Sequence, residues 1–253
     1  MSDLALALRL ADLADGRTAA AFGTGRVAAS SKADGSLVSA VDVEVERSLR
    51  AEVRRHRPDD GFLGEETPPS AGGRRQWVVD PIDHTNNFVR GIPTFATLIA
   101  LMADGVAEVG VVSAPALGRR WWARRGEGAF TDDGRPLRVS TVADIAEAYL
   151  SFGGVHVWQR RGLLDGIIDL SRRARFVVGS GGFSAHMQVA EGLLEASLDP
   201  WGKIWDLAPI QVIVEEAGGA LTDTSGVARA DGGCAVVTNG VLHDAVLSAL
   251  TSR

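Results

Sequence analysis

Acidic side chains border apolar segments at three places in this 253-residue chain. The three places are Gly64-Glu65-Glu66, the stretch from Trp77 to Phe88 with Asp80 and Asp83, and Trp205-Asp206-Leu207. Carboxylate oxygens are the ligands that Mg²⁺ prefers, and a divalent cation relieves the repulsion between acids held close together. If the fold brings the three segments together, they form a magnesium site.

Pro81 lies between Asp80 and Asp83 in the second segment. Because proline fixes its own φ and disfavours helical geometry in the residue before it, the turn can direct both carboxylates at one point. Each acid also has an ordinary structural interpretation. Asp80 and Asp83 can be turn formers, and Asp206 can be the N-cap of the apolar helix that follows it. The spacing alone leaves both interpretations open.

Polar residues after Asp83 lead into the apolar pair Phe88-Val89, which is the pattern of a helix start. Free backbone N–H groups at such a start can hold a phosphate. The hydroxyl of Thr85 can orient a water molecule or, equally, cap the helix. Lys32 is a candidate cation on the phosphate side, although a single lysine in a polar loop is commonly just solvated.

The formal net charge of −6 gives no support for a nucleic-acid or anionic-membrane partner, so a phosphate substrate needs local cations. The single cysteine, Cys234, excludes an intrachain disulfide and fits a reducing cytoplasm, and we expect it to be a small buried residue. The first residues lack a signal pattern, and no apolar run is long enough to cross a bilayer. We therefore expect a cytoplasmic protein.

The acids need helices and strands that hold them in place. Apolar residues at helical spacing predict helices over 3–28 and 40–56, with a polar loop over 30–36. Short apolar runs at Phe62-Leu63 and at Trp77-Val78-Val79 predict buried strands whose ends deliver the acids.

The rest of the chain predicts further strands and helices. A hairpin is expected around Ala103-Asp104-Gly105, and a second strand pair turns near Gly126. We predict later strands at 148–152, 175–178, 195–199, 219–222 and 234–238, and helices at 157–170, 183–192, 205–217 and from Val241. This pattern is typical of an α/β chain with helix-covered sheets. We expect one unit over 1–253, with possible halves at 1–145 and 146–253.

Four segments resemble the inositol monophosphatase family, within the larger group that includes fructose-1,6-bisphosphatase. They occur in the family's order and are Leu37 to Asp42, Gly64 to Glu66, Trp77 to Phe88, and Trp205 to Ala208, which Glu215 to Gly219 continue. The resemblance covers nearly the whole chain. It implies a layered αβαβα sandwich of the α/β (α+β) class, and usually a homodimer.

The resemblance also implies the roles of individual residues, with two or three Mg²⁺ ions per site and a small phosphorylated substrate. The implied metal ligands are the side chains of Glu65, Asp80, Asp83 and Asp206 and the backbone carbonyl of Ile82. The implied catalytic residues are Asp42, Thr85 and Glu65, of which the first two position the attacking water. The implied substrate contacts are the backbone amides of His84 and Thr85 with the phosphate, and Asp199 with the alcohol.

Segments 87–93 and 113–122 look like the bacterial histidinol-phosphate phosphatase branch of this family. Three positions depart from the pattern. His84 replaces the family's glycine, Asn86 lies where threonine or lysine is common, and Gly182 lacks the acid that suits the substrate's amine. We therefore expect the catalytic chemistry to be kept and the alcohol pocket to have diverged.

Gly181 and Gly182 predict room for a larger leaving group, and His84, His186 and Trp201 offer stacking or hydrogen bonds. His186 and Trp201 also fit ordinary packing. The alternative substrates are a nucleoside monophosphate or a sugar phosphate from specialised metabolism. An alternative of another class is a non-catalytic, metal-binding regulatory protein, since a fold alone does not establish activity. Retention of all four acidic ligands favours the enzyme.

Overall fold

The computed structural model describes residues 1–23, 27–33 and 35–251. The helices in this part of the chain are α1 (Asp3–Phe22), α2 (Ala40–His56), α3 (Thr85–Arg90), α4 (Val155–Arg160), α5 (Leu164–Arg173), α6 (Phe183–Ala190), α7 (Ile204–Glu216) and α8 (His243–Thr251). None of them combines the length and apolar character that a membrane crossing requires.

The strands form two larger sheets and one short ribbon. The ribbon pairs β1 (Ala29–Ser31) with β2 (Leu37–Ser39). The first sheet consists, in spatial order, of β3 (Gly61–Gly64), β4 (Arg75–Asp83), β5 (Ala96–Ala103), β6 (Val106–Ala114), β7 (Arg119–Arg124) and β8 (Gly128–Thr131). The second has the order β10 (Phe176–Val178), β9 (Tyr149–Phe152), β11 (Ala196–Asp199), β13 (Ala235–Thr238), β12 (Ala220–Thr222).

Side-chain alternation along the first sheet creates two apolar faces. Val79 and Ile99 pack with α1 and α2 on one face, whereas their neighbours Val78 and Leu98 pack with α6 and α7 on the other. The second sheet covers the opposite side of α6 and α7, and α4, α5 and α8 close its outer face. The layers are therefore α, β, α, β, α, as predicted.

The parallel pairing of β3 with β4 explains where the acids meet. Leu63 lies opposite Val78, and Gly64 lies opposite Val79, so both strands end at the same edge of the sheet. Glu65 follows the end of β3 there, and Asp80 and Asp83 belong to the end of β4.

Most predicted elements are present, including α2 at its predicted bounds and the hairpin at Asp104-Gly105, whose two φ values are positive. The helix predicted over 3–28 ends at Phe22, and residues 24–26 lie outside the described residues. The loop predicted over 30–36 instead contains the end of β1, with residue 34 outside the described residues.

The helix predicted over 157–170 was wrong, because the structure has two helices there. The break lies at Gly162, whose φ of 71° belongs to the left-handed region that ends helices. Periodicity continued across the break because Trp158 and Ile167 pack into the same apolar cluster.

Candidate active site

Two aspartates of β4 and one from α7, far away in the sequence, converge beside the first sheet. One oxygen atom from each of Asp80, Asp83 and Asp206 lies within 4.8 Å of the others. Oxygen donors of this kind, gathered at one point, suit a hard divalent cation such as Mg²⁺. The sequence predicted these ligands, but only the structure brings them together.

The end of β4 directs two of these aspartates. Its pairing with β5 shifts register between Asp80 and Asp83, so the strand is irregular around Pro81. The carboxylate of Asp80 accepts a 2.9 Å hydrogen bond from the backbone N–H of Ile82. Pro81 therefore lies in an irregular part of β4 rather than in the turn expected from the sequence, and this end of the strand places both carboxylates at the same sheet edge.

Asp206 lies in the first turn of α7, at its third helical position. Its Oδ2 accepts a 2.7 Å hydrogen bond from the backbone N–H of Lys203, which is the N-cap residue. The simple N-cap interpretation of Asp206 is therefore wrong. Its other carboxylate oxygen remains available to the three-aspartate group.

The electrostatics of the group favour a bound cation. Burial, followed by the charge of Glu65, raises the pKa of Asp80 well above its ordinary value. Burial, followed by the charge of Asp83, raises the pKa of Asp206 to about 8. Because a divalent cation would stabilise the ionised forms, the donors present fit Mg²⁺.

Glu65 borders this group and is engaged by Lys32. The Lys32 ammonium lies 2.6 Å from a Glu65 oxygen and 2.7 Å from a Glu66 oxygen. Burial raises the pKa of Glu65, and that of Glu66 to about 7, while Lys32 acts in the opposite direction. Lys32 is thus a partner of both glutamates rather than a freely solvated side chain.

Asp42 and Thr85 are in contact, as their expected shared role requires. The Thr85 hydroxyl lies 3.2 Å from Asp42 Oδ1 and 2.9 Å from the backbone carbonyl oxygen of Ile82. The other oxygen of Asp42 accepts hydrogen bonds from the backbone N–H and hydroxyl of Ser39. Burial raises the pKa of Asp42 despite these bonds.

The backbone turns sharply at His84, where α3 begins. His84, the N-cap residue, has left-handed backbone angles (φ 64°, ψ 46°), and Thr85 is the first helical residue. The backbone carbonyl of His84 accepts the N–H of Asn87 at 2.8 Å. Asn86 is exposed on this short helix.

The predicted alcohol-side residues surround a narrow pocket. Asp199 is buried, and its Oδ2 accepts the Gly182 N–H at 2.6 Å and lies 3.0 Å from His186 Nε2. Burial alone would raise the pKa of Asp199, but His186 and the Gly182 N–H hold it below its ordinary value. A Cβ on Gly181 would lie 2.7 Å from Asp199 Oδ1.

The room expected beside Gly182 is already filled. A Cβ on Gly182 would lie 2.1 Å from His84 Nε2, so the imidazole occupies this space. The prediction that Gly182 opens the pocket there was therefore wrong. Trp201 lines the same pocket, is 48% exposed and packs over Gly154.

Glu46 supports the candidate site, and sequence reasoning missed it. Its buried carboxylate accepts hydrogen bonds from the backbone N–H groups of Glu66 (2.6 Å) and Thr67 (3.0 Å) and from the Thr67 hydroxyl. It therefore holds the loop that carries Glu65. The available signal was an acid on the buried face of α2, one turn after Asp42.

A larger cavity of about 450 Å³ lies elsewhere and is lined by several arginines. Among them, Arg75 pairs with Asp60, and Arg125 pairs with Glu215. Because these guanidinium groups already have acidic partners, the cavity offers no comparable site for chemistry.

Comparisons with known proteins agree with this geometry. The sequence profile described as the inositol monophosphatase family matches residues 4–253. A Mycobacterium tuberculosis protein named histidinol-phosphatase is 49% identical, covering 99% of this chain and 98% of its own. A Streptomyces coelicolor protein of the same name is 42% identical, with coverage of 100% and 98%. The solved structure of a Thermotoga maritima IMPase superposes with a TM-score of 0.86 at 31% identity, covering 99% and 97% of the two chains.

Proposed function

The chain belongs to the inositol monophosphatase family and is a phosphate monoester hydrolase, and we propose that it works with two or three Mg²⁺ ions on a small soluble substrate. The observation that carries this proposal is the convergence of Asp80, Asp83 and Asp206. An acidic protein that hydrolyses an anion needs such cations to offset the charge of the phosphoryl group.

The ions would be held by the side chains of Glu65, Asp80, Asp83 and Asp206 and by the carbonyl oxygen of Ile82. Bound Mg²⁺ supplies a water of lowered pKa and stabilises negative charge on the phosphoryl and leaving oxygens. Thr85 orients the attacking water, since its hydroxyl can accept a hydrogen bond while it donates to Asp42 Oδ1. As the Thr85 hydroxyl takes a proton from the water, it passes its own proton to Asp42 Oδ1, while Ser39 holds the other carboxylate oxygen of Asp42.

The phosphate would lie against the backbone N–H groups of His84 and Thr85. The left-handed conformation of His84 supports this position, since it turns the chain into α3 and leaves the first helical N–H groups free. No basic side chain is required in this arrangement.

We propose a primary-alcohol phosphate of the histidinol phosphate type as the natural substrate. The M. tuberculosis and S. coelicolor relatives are both named histidinol-phosphatase. The second candidate, a sugar or nucleoside phosphate, is favoured by a different observation. His84 and Gly182 supply no carboxylate at the position expected to meet an amine.

We further propose that the enzyme works as a cytoplasmic homodimer without nucleic-acid or membrane partners. The net charge of −6 and the single, buried cysteine support this assignment. Tyr149 and Phe176, which pair at 5.6 Å and are both exposed, supply apolar surface for a subunit contact.

Phosphate release from a panel of phosphomonoesters tests the proposal. The panel contains histidinol phosphate, inositol phosphates, nucleoside monophosphates and sugar phosphates, each with Mg²⁺ and with chelator. We expect Mg²⁺-dependent turnover that Asp83→Asn abolishes and that the control Asp169→Asn, at a half-exposed position on α5, retains. Magnesium binding by a folded protein that turns over no phosphate would instead support the non-catalytic regulatory alternative.

A further inference from the structure

The imidazole of His84 forms one wall of the pocket that Asp199 and Trp201 also line. We propose that His84 is a specificity-determining residue that favours phosphates of primary alcohols carrying a flat group over phosphates of puckered ring alcohols. This inference rests on the proposed function, because it concerns the alcohol side of the same site.

The contact between His84 and Gly182 excludes any side chain at position 182. A Cβ there would lie 2.1 Å from His84 Nε2 and 2.6 Å from Cε1, well inside van der Waals contact. The backbone of Gly182 (φ 69°, ψ −160°) is also in a region that side chains disfavour. The imidazole therefore occupies the part of the pocket that a side chain at position 182 would otherwise fill.

The imidazole is held in place by its neighbours. Its ring packs edge-on against Phe183, with centroids 5.8 Å apart and planes at 63°. Its Nδ1 lies 3.3 Å from the Asn87 side-chain nitrogen, which also donates a 2.9 Å hydrogen bond to the Thr94 carbonyl. His84 is thus a fixed wall rather than a side chain that swings aside at little cost.

The pocket beside this wall is small, and its lining combines aromatic side chains with aspartates and glycines. It runs from Asp83 and Asp206 to the exposed ring of Trp201, and its free volume is about 40 Å³. Ligand pockets typically provide roughly 300–1,000 Å³. A phosphate held at the aspartates must therefore direct its alcohol past His84 towards Trp201. Flat groups pack well on aromatic rings, whereas a puckered ring next to the ester oxygen meets the imidazole.

Kinetics with two phosphate esters test this role. 2-Phenylethyl phosphate is the ester of a primary alcohol that carries a flat, uncharged phenyl group, and inositol 1-phosphate is the ester of a secondary alcohol on a puckered ring. We expect His84→Gly to raise the ratio of kcat/KM for inositol 1-phosphate over 2-phenylethyl phosphate by about tenfold, the usual size of a steric selectivity. His84→Asn, which also tolerates left-handed backbone angles, should give an intermediate ratio.

Inorganic phosphate serves as the matched control ligand because it has no alcohol group. The inhibition constant of inorganic phosphate should differ by less than about twofold between wild type and the His84 variants, which is the variation expected when a mutation is not coupled to ligand binding. A kcat/KM ratio that stays constant across the three proteins overturns the role of His84, as does an equal loss of affinity for inorganic phosphate. Absence of turnover by the wild-type protein with every phosphate ester overturns the proposed function and this inference with it.

Thermal unfolding provides a measurement that does not depend on turnover. Gly182→Ala should lower the Tm more in the wild-type background than in the His84→Gly background, because only the former contains the imidazole clash. If Gly182→Ala lowers the Tm equally in the two backgrounds, the inferred contact between His84 and Gly182 is wrong.

Discussion

Replacing Asp206 with asparagine should stabilise the metal-free protein, although it removes a metal ligand. Burial, followed by the charge of Asp83, raises the pKa of Asp206 to about 8, against an ordinary value of 3.8. At neutral pH the folded protein must therefore keep a proton that the unfolded chain has lost. Asparagine removes this requirement, and its side-chain oxygen can still accept the 2.7 Å hydrogen bond from Lys203.

The magnitude follows from the difference between the two pKa values. Each pH unit above 3.8 costs the folded state about 1.4 kcal/mol until the folded pKa is reached, so the limit at pH 7 is about 4 kcal/mol. Asparagine places a buried amide group where the protonated carboxyl was, which costs part of the gain, so we expect about half of this limit. A gain of about 2 kcal/mol corresponds to a Tm increase of roughly 4–8 °C for a chain of this size.

Thermal unfolding in chelator between pH 4 and pH 9 measures this effect. The stability of the wild-type protein should fall as pH rises through this window, because the unfolded state then binds fewer protons than the folded state. The advantage of Asp206→Asn should therefore shrink progressively as the pH is lowered towards 4. Magnesium should raise the Tm of the wild-type protein more than that of the variant.

Asp223→Asn is a control that should change the folding stability in the opposite direction. Although burial acts to raise the pKa of Asp223, hydrogen bonds from Ser225 and Val227 hold it below its ordinary value. Its ionised form stabilises the fold above pH 3.8, and this contribution is lost as pH falls through the lowered pKa, so the variant should lose stability at pH 7. A lower Tm for Asp206→Asn than for wild type, in chelator at pH 8, would refute the reasoning.

Three further substitutions test the surroundings of the site. Thr85→Val should lower kcat about 100-fold, because the hydroxyl between Asp42 and the Ile82 carbonyl is lost. Steady-state kinetics measure this effect, and an unchanged kcat argues against a role for Thr85. Gly64→Ala should destabilise the protein by about 2 kcal/mol in denaturant unfolding, since the Cβ of the new alanine would lie 2.2 Å from Glu46 Cδ. If the variant is as stable as the wild type, Glu46 moves aside without cost. Glu46→Gln should raise the Mg²⁺ concentration for half-maximal activity roughly tenfold while kcat at saturating Mg²⁺ is largely kept, and an unaltered magnesium titration contradicts that positioning role.

Local patterns in the sequence predicted much of the fold. The helix over 40–56 and the hairpin around Asp104-Gly105 depend on spacing and turn residues within a few positions, so they are predictable without tertiary contacts. The sequence did not predict the helix break at Gly162, because the apolar residues on both sides of it pack into one cluster and keep the same periodicity. A periodic pattern records which face is buried and does not record whether the helix is continuous.

The sequence by itself determined which chemical groups are available, because residue type fixes the donor atoms of Asp80, Asp83 and Asp206. Only the tertiary structure decided that these atoms meet, since their convergence depends on the edge where β3 and β4 end and on the packing of α7 against the first sheet. The same holds for the two glycines that suggested an open pocket, because the structure places the His84 imidazole beside Gly182 and the Asp199 carboxylate beside Gly181. Spacing along a chain carries no information on contacts between distant segments, because packing sets those contacts.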